Sequence, residues 1–76
     1  MSKFYYSFGQ GHTHRVRGVT LDCDSIVAII APCEAEARAK MFDVFGMKWS
    51  LQYTDETLDL SYFPRGVVLC FDLVSP

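Results

Sequence analysis

Several signals that would name a function outright are missing from this 76-residue chain. No apolar stretch approaches the roughly 20 residues that a membrane-spanning helix requires. The longest, Ile26 to Cys33, is interrupted by Pro32. Residues Met1-Ser2-Lys3-Phe4 lead into an aromatic alternation rather than an apolar helix, so no cleavable secretory segment is expected and the expected location is cytoplasmic. The three cysteines, Cys23, Cys33 and Cys70, cannot all pair within one chain and show no Cys-x-x-Cys spacing, which argues against a disulfide scaffold. Cys33 and Cys70 are expected to pack as small apolar residues. No repeat, low-complexity tract or linker divides the chain, which predicts one domain over residues 1–76.

Charge of one sign is scarce only on average. The net charge is −2, yet residues 1–20 carry Lys3, Arg15 and Arg17 without an acid, while residues 21–76 carry nine acids against four bases. A positive tip on an acidic body presents different potentials to a partner and to solvent. A general nucleic-acid binder is more often basic throughout. Half of the residues are apolar, with six Phe, four Tyr and one Trp, enough for a single small core.

The alternation over Lys3 to Phe8 predicts a half-buried strand with Phe4, Tyr6 and Phe8 on one face. Arg15 to Leu21 is read as a strand or extended arm interrupted by Gly18. The β-branched run Ser25 to Ala31 predicts a central strand, apolar on both faces. Pro32, the acids Glu34 and Glu36, and Gly46 bracket a helix over about 33–45. On it Ala35, Ala39, Met41, Phe42 and Phe45 fall within an arc of about 160°. Trp49, Leu51 and Tyr53 alternate as a further strand. Phe63-Pro64-Arg65-Gly66 is a turn signal, and Val67 to Val74 predicts a last strand with Val67, Leu69, Phe71 and Leu73 inward. The expected fold is α+β: about four antiparallel strands with the helix on one face, in the order β-β-α-β-β. An uncovered second sheet face, bearing Tyr5, Gln52 or their neighbours, would if aromatic serve as a partner or dimer surface.

The candidate site is the segment Gly9 to Gly18, which holds both histidines, His12 and His14, with Arg15 and Arg17. Beside Tyr5, these residues supply basic groups and a ring for a partner contact, and Arg65 at its turn apex is a second exposed arginine. His12 and His14 lie two apart, on one side of an extended chain, so with Cys23 they are weak metal candidates; two ligands do not make a site. As acid and base for phosphodiester cleavage the two histidines point the same way, whereas in-line displacement needs opposite sides. Gly9-x-Gly11 lacks the third glycine and following helix of a nucleotide-binding loop. No cofactor is expected.

The segments Phe8-Gly9-Gln10-Gly11-His12, Phe45-Gly46-Met47-Lys48-Trp49-Ser50-Leu51-Gln52-Tyr53 and Phe63-Pro64-Arg65-Gly66 together resemble small accessory proteins of bacterial viruses. Anti-CRISPR and related anti-defence proteins are similar in size, single-domain build and mild acidity. The resemblance implies a non-enzymatic inhibitor acting in the host cytoplasm by occupying a host protein or nucleoprotein complex. A metal-dependent or histidine-based enzyme acting on nucleic acid or nucleotide, and a small nucleic-acid-binding module, are the alternatives. Homodimerisation through an exposed sheet face or edge is a further expected association.

Overall fold

A computed structural model describes residues 2–11 and 13–74. The strands are β1 (Ser2–Ser7), β2 (His14–Val16), β3 (Val19–Leu21), β4 (Ser25–Ala31), β5 (Gln52–Tyr53) and β6 (Gly66–Asp72), with one helix, α1 (Glu34–Phe45), and a short 3-10 turn at Leu60–Tyr62. Four strands form the main sheet in the order β5-β1-β4-β6, and β2 and β3 form a separate two-stranded hairpin. The α+β class expected from the sequence is present.

The sheet is mixed rather than antiparallel. β1 runs antiparallel to both β4 and β5, but β6 lies parallel to β4. A parallel neighbour requires a long crossover, and the chain between β4 and β6 supplies it through α1 and the edge strand β5. The expected order β-β-α-β-β is corrected for the same reason: the chain from His14 to Leu21 folds back on itself as two short strands outside the main sheet.

β4 occupies the centre because Ile26 to Ile29 are fully buried, with side chains entering both sheet faces. One face carries Tyr6, Val27, Ile29 and Phe71, joined by Phe8, Leu21, Ala37, Met41 and Phe45 into the main core. Both α1 and the hairpin therefore cover this face. The other holds Tyr5, Ile26 and Ala28, against which Tyr53, Leu58 and Phe63 pack. The face expected to be open is thus partly covered by the segment between β5 and β6.

Three local expectations change with this packing. A bulge opposite Ile26 and Val27 inserts Val68, so Val67 pairs with Ile26 while Leu69 pairs with Val27. Val67 thereby leaves the inward set and is 41% exposed, and Leu73, past the end of β6, is also exposed. Cys33 and Cys70 are both exposed rather than core residues. Cys33 sits at the N-cap of α1, and Cys70 pairs with Ala28, on the face away from α1. Finally, Trp49 and Tyr53 do not share a face: Trp49 meets Tyr6 and Phe42, whereas Tyr53 meets Phe63. Only Gln52 and Tyr53 form strand β5, while Ser7 exchanges backbone bonds with Ser50 and Leu51.

Candidate binding surface

The hairpin β2–β3 turns through Arg17 and Gly18, whose φ values are +53° and +76°. Two consecutive positive φ angles give the turn a twist that matches paired strands, which a right-handed turn would splay. Gly18 takes this conformation freely, whereas Arg17 carries a steric cost. The strands are held by the pairs His14↔Leu21, Arg15↔Thr20 and Val16↔Val19. Leu21 is fully buried, and Val16 and Val19 pack on the main core.

Contacts at both ends anchor the hairpin. At its root, His14 Nε2 lies 2.7 Å from the carbonyl oxygen of Lys48, to which it donates. The imidazole also packs with Phe8 and Phe45, at ring-centroid separations of 5.5 and 4.9 Å. At its tip, the Arg17 guanidinium lies 4.9 Å from the centroid of Phe71, and Lys40 Nζ lies 5.2 Å from the same centroid. Phe71 is held between the core and these two cations, an arrangement favoured by the negative face of the ring. Arg15 remains exposed and reaches Thr20 Oγ1 at 3.5 Å, at the limit of a hydrogen bond.

Of the other expected site residues, Arg65 is not a free arginine at a turn apex. The turn itself forms as expected, with the Gly66 N–H bonded to the Phe63 carbonyl. Arg65 Nη1, however, donates to the Thr20 carbonyl at 2.7 Å, Ser25 Oγ at 3.0 Å and Asp22 Oδ2 at 3.2 Å. It ties the turn before β6 to the β3–β4 connection. Asp22 also accepts the Asp24 N–H and the Ser25 hydroxyl on Oδ1. These bonds, led by the Asp24 N–H, hold its carboxyl below the ordinary value, with Arg65 contributing further.

Tyr5 is 8% exposed, and its hydroxyl donates to Asp55 Oδ1 at 2.6 Å. That bond stabilises the protonated phenol and, with burial and the Asp55 charge, pushes its pKa up to about 12. On the helix face, Tyr6 donates to Gln52 Oε1, and Gln52 Nε2 donates to Glu34 Oε1. Burial is the main reason that Tyr6 is also raised to about 12.

Cys23 is exposed beside Asp24, with Sγ 3.8 Å from Asp24 Oδ1. Among the described residues no three His, Cys, Asp or Glu side chains converge as metal ligands, so His14 and Cys23 are not brought into such a group. His12 lies outside the described residues. No described helix is long and apolar enough to cross a membrane.

A surface not anticipated as a site runs along the other flank of α1. Ala37, Met41 and Phe45 point into the core, so the buried face is rotated relative to the apolar arc read from sequence. Ala35, Ala39 and Phe42 are left facing solvent. With Glu34 and Arg38 they line an open groove of about 420 Å3. Trp49 lies behind two of the lining residues, with its ring 5.4 Å from Phe42 and the Arg38 guanidinium 5.3 Å from its centroid. The sequence signal was the apolar arc of about 160°, wider than the Ala37, Met41 and Phe45 face that the core covers. A second open groove, of about 430 Å3, lies among Ser2, Lys3, Phe4, Thr54, Asp55 and Glu56.

No protein-family model matches this chain, and the searches of curated proteins and solved structures likewise found no match.

Proposed function

We propose that this chain is a non-enzymatic binding protein that blocks a host protein or nucleoprotein complex, in the manner of anti-CRISPR and anti-defence proteins. The observation that carries this reading is the hairpin, anchored at His14 and at Arg17, which leaves Arg15 and Arg17 exposed on an otherwise acidic chain. A contact element ordered before binding loses less conformational entropy on association, and arginine serves well as an interface anchor. The expected target surface is acidic, either a protein carboxylate cluster or the phosphates of a nucleoprotein. His14 supports the hairpin root in this reading; Tyr5 and Arg65 support the scaffold behind it.

Affinity purification from bacterial lysate tests the proposal, using tagged wild type beside an Arg15→Ala/Arg17→Ala variant whose fold is checked by circular dichroism. A stoichiometric protein partner recovered with wild type and lost with the folded variant is the expected result. Equal recovery by both would remove the hairpin from the interface. Purified protein that instead binds free nucleic acid, with affinity falling steeply as salt rises, would favour the nucleic-acid module.

A further inference from the structure

We infer that the groove along α1 is a second contact surface, one that receives an amphipathic helix with a carboxylate beside its apolar stripe. The inference rests on the binding-protein reading for the existence of a partner, but it is independent of the hairpin. Ala35 and Ala39 are four residues apart, as are Arg38 and Phe42, so the solvent-facing flank presents two parallel rows with a depression along the small residues. A ridge of side chains from another helix fits such a row-and-groove surface. The alanines permit close approach, while Phe42, 44% exposed and backed by Trp49, offers an apolar wall.

The charge selects among helices. Arg38 lies over Trp49 and forms no ion pair among the described residues. Glu34, at the other end of the groove, accepts a hydrogen bond from Gln52, which in turn accepts one from Tyr6. Gln52 is a neutral amide, so the groove keeps an acid towards one end, and a partner carboxylate is matched only beside Ala39 and Phe42, where Arg38 is the neighbouring charge. A partner carboxylate flanking a leucine-sized side chain would meet Arg38 as that side chain enters between Ala39 and Phe42. A lysine there would face a like charge in a partly desolvated site.

Trp49 is the sole tryptophan and touches the lining residues Phe42 and Arg38, so its fluorescence reports their displacement on occupancy. The probes are two synthetic helical peptides of Leu, Ala and Gln with an identical apolar stripe, one flanked by Glu and the other by Lys. The Glu peptide is expected to shift Trp49 emission saturably and to bind about tenfold more tightly than the Lys peptide, reflecting one charge-assisted bond. Arg38→Glu should reverse that order, and Ala39→Phe, which fills the depression without adding charge, should abolish both responses while thermal melts report an intact fold. Absence of saturable binding by the Glu peptide, or an unchanged order in a folded Arg38→Glu protein, would overturn the proposal. Overturned here with a hairpin-dependent partner still captured, the binding-protein reading stands; loss of that partner as well would remove both.

Discussion

On the Lys40 flank of α1, the hairpin packs beside the helix, and the ring that receives the cations Arg17 and Lys40, Phe71, is only 6% exposed. On the opposite flank a ring again carries a cation, Trp49 under Arg38, but Phe42 beside it is 44% exposed and the alanines face water. The aromatic and cationic ingredients are the same. Their burial differs because the chain supplies a covering element, β2–β3, on one side only. On the covered flank the ring is sealed and only the exposed guanidinium of Arg17 is left for a partner, whereas on the open flank both a cation and apolar surface are available.

The most severe way to break this contrast is Phe71→Ala. Removing a buried ring from the closed flank is expected to cost about 3–5 kcal/mol, read by urea denaturation, and to leave little folded protein in so small a domain. Next, Gly18→Val forces a β-branched side chain into positive φ at the hairpin turn. A loss of about 1–2 kcal/mol is expected, with amide exchange in 14–21 accelerating before the main sheet is affected. If exchange rises equally in β1 and β4, the hairpin is not a separable covering element.

Arg65→Ala removes the bonds that join the β3–β4 connection to the turn before β6, with an expected cost of about 1 kcal/mol at neutral pH. Its Asp22-dependent part should vary with acidity. Because the folded carboxyl is held below 3.8, its contribution is complete above that value and is lost as pH falls through the lowered folded value. Stability measured from pH 6 downward should therefore converge for wild type and Asp22→Asn, and a constant gap would refute the linkage. Phe42→Ala, on the open flank, should cost less than about 1 kcal/mol because the residue is half exposed and loses chiefly its edge contact with Trp49. A cost approaching that of Phe71→Ala would erase the difference between the flanks.

The two sheet faces allow a further comparison at high pH. Tyr5 on one face and Tyr6 on the other both ionise near 12, for different reasons: the Asp55 hydrogen bond and burial, respectively. Since folding favours the protonated phenols, their contribution is fully present below the unfolded value of 10 and is lost as pH rises from 10 to about 12. Ultraviolet titration should show a late-ionising component in wild type. Tyr5→Phe should remove its Asp55-dependent part and leave that of Tyr6, with a loss of stability at neutral pH that disappears as pH rises towards 12.

Much of the local structure was legible. The β-branched run Ser25 to Ala31, the helix after Pro32, the turn at Phe63 to Gly66 and the alternating faces of β1 all follow from periodicity and turn chemistry, and each is present. The hairpin was harder to read because Arg17-Gly18 is not one of the usual turn pairs, so Gly18 looked like an interruption of one strand. Arg65 and His14 looked available because a sequence shows a side chain's chemistry but not its partner. Thr20, Asp22 and Ser25 lie 45, 43 and 40 residues from Arg65, and Lys48 lies 34 from His14.

By itself, then, the sequence determined the α+β class, the buried central strand, the helix and the charge division between the first twenty residues and the rest. Those features depend on short-range periodicity and composition, which need no knowledge of neighbours. The tertiary structure decided the parallel placement of β6, the bulge that turns Val67 outward, and which part of the helix's wide apolar arc is buried. It also decided which arginines are spent internally and which remain at an open surface. These outcomes depend on contacts between distant segments, where a covering element on one flank of α1 and its absence on the other give similar residues different roles.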